Sequence, residues 1–406
     1  PDREGRSAGG RATATRARRI VRQKLLSPQD CNDVRASEGE TSAGITLPDF
    51  PWDRLIPIRA TAREHPDGLC DLSVGTPVDP VPIAIQEALA SAADAPGYPT
   101  THGTGELRTA IAGWLSRKLG VVGVDPQAVL PAIGTKELIA GLPNQLGVRP
   151  GQSVVIPETA YPTYEVGALL ARAVPVRADS LTQLGPTTPA MIWLNSPSNP
   201  TGKVLGVEHL RKVVEWARDR GVIVASDECY IELGWTGEKP ISILHPDVCG
   251  ASHDGLLAVH SLSKRSNLAG YRFGFMTGDA AVIARVLEVR KHSGFMVPTP
   301  IQVAATAAYD DDTHVAVQRS IYRTRREVLL AALTSAGFTV DDSAAGLYLW
   351  ATRGEPCMDT VAWFAQLGIL VAPGDFYGPA GARHVRIALT ATDERVRSAA
   401  LRLLAQ

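Results

Sequence analysis

From about residue 71 onward, short apolar runs alternate with amphipathic stretches. The runs include Val154-Val155-Ile156, Met191-Ile192-Trp193-Leu194, Val222-Ile223-Val224-Ala225, Leu256-Leu257-Ala258-Val259 and Phe273-Gly274-Phe275-Met276. They are rich in Val, Ile and aromatics and bounded by polar, Gly or Pro residues, as strands buried on both faces are. Between them lie helical patterns, clearest over 207–220. There Leu210, Val213, Val214 and Ala217 share one stripe and Gly221 marks the stop. This alternation predicts an α/β unit: a mostly parallel sheet with helices on both faces. After about residue 300 the pattern changes. A helical stretch from Ile301 to about Ala336, broken near Asp310-Asp311-Asp312, precedes short strand patterns at 338–340, 347–350, 369–371 and 385–389. That reads as a smaller α+β unit.

The first 44 residues differ from the rest. Residues 1–24 hold eight basic side chains against Asp2 and Glu4, with Gly, Ser, Thr and Ala between them. No apolar h-region follows, so the pattern is not a secretory signal, although an Arg-rich, acid-poor start loosely resembles a transit peptide. The simpler expectation is a disordered basic extension. Globular patterning begins near Ile45.

The 406 residues are 45% hydrophobic and 20% charged, with a formal net charge of -1. A near-neutral chain argues against nucleic acid or an anionic membrane as the main partner. No run approaches the roughly 18 apolar residues of a membrane span. The five cysteines are far apart and without zinc-finger spacing, so neither a disulfide framework nor a structural metal site is expected. These features fit a cytoplasmic protein.

The chemistry gathers around one lysine. Lys264 stands in Ser261-Leu262-Ser263-Lys264-Arg265-Ser266-Asn267-Leu268-Ala269-Gly270-Tyr271-Arg272-Phe273-Gly274, just past the apolar run 256–259. Strand ends of this kind are where α/β sheets bind ligands. Asp227 ends the run 222–225, where an Asp can also cap the next helix. Asn195-Ser196-Pro197-Ser198-Asn199-Pro200-Thr201-Gly202 follows the run 191–194, although Asn-Pro and Thr-Gly also simply mark turns. Asn199 comes 28 residues before Asp227 and Lys264 comes 37 after it, room for one strand-helix-strand step each.

Together these segments resemble the fold-type I pyridoxal-phosphate enzymes, and among them the class I/II aminotransferases. The pattern S-x-S-K-x-x-x-L-A-G-x-R-x-G is matched without a gap. The resemblance spans about residues 48–404 and implies an aspartate aminotransferase-like fold, with a large domain carrying a mostly parallel seven-stranded sheet. Residues 71–300 would form that domain, and 45–70 with 301–406 the smaller one. It implies pyridoxal 5'-phosphate as cofactor and a homodimer with shared active sites.

Residue by residue, Lys264 resembles the lysine that holds the cofactor aldehyde and then moves the substrate proton. Asp227 would sit beside the pyridine nitrogen and keep it protonated. Tyr230 and Asn199 match the donors to the phenolate oxygen. Ser261 and Arg272 match the phosphate contacts, for which an arginine fork is suited. Thr135 and Lys136, in Ile133-Gly134-Thr135-Lys136-Glu137, match a helix start whose N–H groups face the phosphate. Tyr161 matches the aromatic stacked on the ring, and Tyr98 the tyrosine that reaches the neighbouring subunit's phosphate. Gly75 and Arg386 match the groups that receive the substrate carboxylate, and Asn199 is expected to contact the substrate as well. Taken singly, Lys136 and Arg386 read as surface residues, and Tyr161 and Tyr230 as packing aromatics.

The texture is most similar to bacterial N-succinyldiaminopimelate aminotransferases, in Leu72–Pro80, Ile133–Ile139 and Val371–Gly378. That implies transamination between glutamate and N-succinyl-2-amino-6-oxopimelate on the diaminopimelate route to lysine. Phe376 and Tyr377 are expected near the distal side of the substrate, and Lys136, Arg265 and Arg383 are cations to consider there. The same motifs also suit an aspartate, methionine or kynurenine aminotransferase, a C–S lyase or a decarboxylase. A regulator carrying an aminotransferase-like sensor domain would need a winged helix, for which 44 residues are too few.

Overall fold

The computed structural model describes residues 45–237 and 239–406. The expectation of a disordered extension over 1–44 falls outside the described residues. The strands, in chain order, are β1 (Cys70–Asp71), β2 (Val129–Ala132), β3 (Ser153–Ile156), β4 (Val174–Arg177), β5 (Met191–Asn195), β6 (Ile223–Asp227), β7 (Leu256–Ser261), β8 (Gly274–Gly278), β9 (Thr339–Asp341), β10 (Tyr348–Thr352), β11 (Ile369–Leu370), β12 (Ala372–Pro373) and β13 (Val385–Ala388).

Seven of them form one sheet in the order β2-β8-β7-β6-β5-β3-β4. Only β8 runs antiparallel to its neighbours. Alternate residues of each strand enter separate cores. Ile192 and Leu194 of β5 and Leu256 and Ala258 of β7 pack with Trp114, Leu210 and Val213. Met191, Trp193, Leu257 and Val259 pack with Leu138, Tyr164 and Ile283 on the other face. Both faces are apolar, so the strands read as continuous apolar runs. The two edges, β2 and β4, each carry a proline, Pro131 and Pro175. Proline lacks a ladder donor and is confined to such positions.

The second layer is an antiparallel sheet in the order β12-β13-β10-β9, joined by the parallel pair β1-β11. Leu55, Leu72, Tyr322, Leu329, Phe364 and Leu389 form its core, so segments from both ends of the described chain share it. The helical stretch after residue 298 is two helices, Thr299–Asp310 and Thr313–Ser335. The break has a local cause: Asp311 accepts the N–H of Thr313 at 2.8 Å and so starts the second helix. The first helix packs through Ala304, Ala305 and Tyr309 against the core of the large sheet, and the second through Tyr322 and Leu329 against the smaller one.

The topology sets the site. β5, β6 and β7 are parallel neighbours, and their last residues are Asn195, Asp227 and Ser261. Three polar side chains thus end side by side at the carboxyl edge of the sheet, where helices and loops leave a crevice.

Candidate active site

A cavity of about 670 Å³ opens at this edge. Lys264, Asp227, Tyr230, Asn199, Ser261, Arg272, Thr135, Lys136, Tyr161, Gly75 and Arg386 all line it. Eleven positions drawn from seven separate segments of sequence therefore meet in one place. Tyr98 does not: it stands 95% exposed, outside the cavity.

Lys264 sits on a single helical turn, Leu262–Arg265, directly after β7. Its Nζ donates to the carbonyl of Gly75. Burial lowers its pKa below the ordinary lysine value, and the nearby Arg386 and Arg272 guanidiniums push the same way against Tyr348 and Cys229. The amine is therefore more readily neutral than a surface lysine.

Asp227 is buried, with both carboxylate oxygens engaged. Oδ2 accepts from the Tyr164 hydroxyl at 2.8 Å and Oδ1 from the Cys229 N–H at 3.1 Å. Burial raises its pKa, and the hydrogen bonds from Cys229 and Tyr164 oppose that rise. A cation placed beside it would restore the charged form.

Asn195 holds the turn next door. Its Nδ2 donates to the carbonyls of Asp227 and Pro197 at 3.0 and 3.2 Å, and its Oδ1 accepts the Asn199 N–H at 2.8 Å. The Ser196-Pro197 and Asn199-Pro200 peptides are both cis. Asn199 meets Arg386, whose Nη1 donates to Asn199 Oδ1 at 2.9 Å. Arg386 lies on β13, 2% exposed, and its Nη2 donates to the Ser73 carbonyl at 2.7 Å. Its Cζ stands 4.0 Å from the Tyr348 ring centroid and 4.9 Å from that of Tyr377, a cation–π sandwich. Its Nε has no partner. A buried guanidinium whose acceptors are neutral keeps an uncompensated positive charge that an anion can pair with.

Tyr230 and Tyr348 share a contact of 3.2 Å between hydroxyls. Burial drives the Tyr230 hydroxyl up and disfavours its ionisation, as does Tyr348. Tyr348 goes the other way: burial opposes ionisation, but Arg386 and Lys264 outweigh it. Tyr348 is the more acidic of the pair. It also fixes Gly75, since a Cβ there would collide with the Tyr348 hydroxyl.

The far wall gathers groups suited to an anion: a guanidinium, a hydroxyl and a helix N-terminus. Helix Thr135–Gln145 begins beside Gly134, whose φ of 77° and missing side chain leave room for the Arg272 guanidinium. Arg272 is itself in the left-handed region at φ 57° and donates to the Ala269 carbonyl at 2.9 Å. Ser261 Oγ accepts the Ser263 N–H at 3.1 Å. Glu137 braces the turn from below. Its Oε2 accepts the Ile133 N–H, and both oxygens receive Arg290, at 2.7 and 3.1 Å.

These residues fit pyridoxal phosphate on their own chemistry. A depressed amine, a buried acid, phenolic donors and a cup of guanidinium, hydroxyl and helix N-terminus surround one cavity.

Sequence reasoning missed several members. Tyr348 was legible only as part of an apolar strand, and Tyr164 as a second tyrosine after Tyr161. Phe50 and Trp52 line the mouth of the cavity. Phe376 and Tyr377 do not line it: Phe376 backs Trp52 at 5.5 Å, and Tyr377 lies behind Arg386. Of the cations considered for distal recognition, Lys136 lines the cavity. Arg265 is buried in an ion pair with Glu232, and Arg383 is exposed elsewhere.

The comparisons with known proteins agree with this geometry. The family model described as aminotransferase class I and II matches residues 67–403. A protein named a probable aminotransferase, from Mycobacterium tuberculosis, is 63% identical over 91% of this chain and 88% of its own length. The 4-dedimethylamino-4-oxo-anhydrotetracycline transaminase OxyQ of Streptomyces rimosus is 59% identical over 88% of this chain and 99% of its own. Among solved structures, a probable N-succinyldiaminopimelate aminotransferase from Thermus thermophilus superposes with a TM-score of 0.79 at 29% identity, covering 88% of this chain and all of that one. The chain belongs to the class I and II aminotransferases, pyridoxal 5'-phosphate-dependent enzymes of the aspartate aminotransferase-like fold.

Proposed function

We propose that this aminotransferase takes an α-amino acid carboxylate at Arg386 and passes its amino group to N-succinyl-2-amino-6-oxopimelate, or the reverse. The observation that carries the first half is the buried, neutral-partnered Arg386 beside Lys264 in one cavity.

Bound pyridoxal phosphate supplies the carbonyl that accepts the amino group and a ring that draws electrons from the substrate Cα. The chain's own residues do the rest. Lys264 would anchor the cofactor, and its neutral amine would be the base that holds and moves the substrate Cα proton. Asp227 would keep positive charge at the ring nitrogen. Tyr230 and Asn199 would donate to the ring oxygen, and Tyr161 would cover the ring. Arg272, Ser261 and the N–H groups of Thr135 and Lys136 would hold the phosphate. Arg386 and the Gly75 backbone fix the substrate carboxylate and thereby choose which Cα bond breaks. Tyr98, exposed in the single chain, would complete the phosphate cup of a second copy in a homodimer.

The succinylated substrate is supported by the Thermus neighbour's name and by Lys136, a cation at the cavity mouth that could receive a distal carboxylate. A second reading is favoured by the relative OxyQ and by the aromatic mouth of Phe50 and Trp52: a polycyclic ketone as amino acceptor. Steady-state assays with N-succinyl-LL-diaminopimelate, the tetracycline-type ketone and a panel of aspartate, methionine and aromatic amino acids separate the readings. A kcat/KM for the succinylated substrate orders of magnitude below another member of the panel would overturn the first.

A further inference from the structure

Behind the active site lies a second, buried polar cluster. Three chain neighbours carry it. Asp227, Ser261 and Lys264 line the active-site cavity, and the adjacent Glu228, His260 and Arg265 line a separate internal void of about 10 Å³. Ser261 and Cys229 line both spaces, so the wall between them is one residue thick. The turn after β6, the alternation of side chains along β7 and the helical turn Leu262–Arg265 turn Glu228, His260 and Arg265 toward the void, with Ser261 bordering both spaces.

The residues around the void are short of hydrogen bonds. Glu228 Oε1 accepts the Ile243 N–H at 2.8 Å and the Ser242 and Ser226 hydroxyls also favour its carboxylate, but its Oε2 makes no well-formed hydrogen bond. His260 Nδ1 and Nε2 have none, although Nε2 stands 3.4 Å from Glu228 Oε2. Trp114 Nε1 and Arg265 Nη2 also lack one. Arg265 is otherwise engaged, by Glu232 and by the Ala308 carbonyl at 3.2 Å. Glu228, His260 and Arg265 are all at most 4% exposed. Buried polar groups with no partner are costly, and one water at such a place commonly makes about three hydrogen bonds. A void of roughly one water-probe sphere is the minimum that holds a water.

We propose that this void holds one ordered water joining Glu228, His260 and Arg265, and that the hydrated cluster positions the two strand ends and the helical turn that carry Asp227, Ser261 and Lys264. A water suits the site because it donates to Glu228 Oε2 and accepts from Arg265 while leaving His260 either role. Burial holds the His260 ring neutral, with a pKa near 3, and raises Glu228 to about 7, so neither partner supplies a fixed full charge to the other. Glu228, His260 and Arg265 are positioning residues; none touches the cofactor.

The inference rests on reading Asp227, Ser261 and Lys264 as the cofactor's anchors, and its test separates the two. A high-resolution crystal structure of the holoenzyme reports the water without reference to turnover. We expect one water within hydrogen-bond distance of Glu228 and His260, kept in Glu228→Gln and lost in His260→Phe, which removes the ring nitrogens while keeping ring volume. Fluorescence titration of the cofactor-free proteins with pyridoxal phosphate is expected to show about tenfold weaker binding for His260→Phe, with Glu228→Gln nearer wild type. KM for the amino acid should be unchanged, since Arg386 is untouched. A dry void in the wild-type crystal, or cofactor affinity unchanged in His260→Phe, overturns the proposal. Should His260→Phe fail to fold, the wild-type and Glu228→Gln crystals still decide it. A water present with pyridoxal phosphate anchored elsewhere than Lys264 would instead overturn the reading of the anchors.

Discussion

Asn199 and Arg386 are 187 residues apart in sequence and hydrogen-bonded at 2.9 Å inside the active-site cavity. The pair ties the cofactor wall of the large sheet to β13 of the smaller one. It also keeps the guanidinium neutral-partnered. Asn199→Asp would place a carboxylate there instead and form a buried ion pair that competes with the substrate. KM for the amino acid is expected to rise at least tenfold, and kcat to fall as well, since the amide donor to the cofactor is lost with the neutral acceptor. Arg386→Ala is expected to cost roughly 2 to 5 kcal/mol in kcat/KM, as for a truncated buried charge partner. Unchanged steady-state constants in both variants would remove Arg386 from carboxylate binding.

Lys264 titrates below the ordinary lysine value of 10.5. Burial penalises the ammonium, so the neutral amine forms at lower pH than in a free lysine. Cyanate reacts with neutral amines. Carbamylation of Lys264 in cofactor-free protein, followed by peptide mapping, should rise with pH to a midpoint below 10.5. A midpoint at or above the ordinary value would contradict the burial argument. Lys264→Ala should abolish turnover while leaving the fold intact.

Gly134 leaves the space that the Arg272 guanidinium fills, with φ at 77°. Gly134→Ala both strains the turn and displaces the guanidinium. Pyridoxal phosphate affinity should fall by about two orders of magnitude, given the few kcal/mol that a lost charge-assisted contact and a strained φ together cost. Titration of cofactor-free protein reads this directly. Wild-type affinity would show that Arg272 does not serve the phosphate.

Arg290 is fully buried and its carboxylate partner is Glu137, one residue past Lys136. Removing Glu137 strands a charge in the core. Glu137→Ala is expected to cost about 3 kcal/mol or more in stability, read as a lower denaturation midpoint of the cofactor-free protein. A shift within a few tenths of a kcal/mol would mean that Arg290 finds another acceptor.

The parts of this site that were legible in sequence lie at strand ends, where chain order and spatial order coincide. Asn199, Asp227 and Lys264 follow three adjacent parallel strands, so their spacing along the chain maps onto neighbouring positions in the crevice. Tyr348 arrives from the other sheet and Phe50 and Trp52 from the start of the short helical turn Pro51–Leu55, and nothing local in their segments marks them as facing a ligand. Phe376 and Tyr377 show the opposite failure. Their loop lies near the site in sequence pattern, yet packing turns both rings into the supports of Trp52 and Arg386. Arg265 adjoins Lys264 but faces away from it, a reversal that spacing alone does not reveal. In the fold, β2 and β4 gave weaker strand signals than the inner strands. Each contains a proline, and β4 has partly exposed positions throughout.

Those two prolines have a consequence for the molecule in company with others. A parallel sheet assembles slowly from distant segments, and its margins are the places where a foreign segment could dock and grow an aggregate. At one margin Pro131 withholds a donor, and its ring packs beneath the turn at Gly103. At the other, Pro175 interrupts a row whose first residue, Val174, is 51% exposed. Neither rim offers an unbroken template. Replacing Pro175 with valine would extend the donor row without touching the catalytic crevice, and the cost would appear as turbidity during refolding and not as lost turnover.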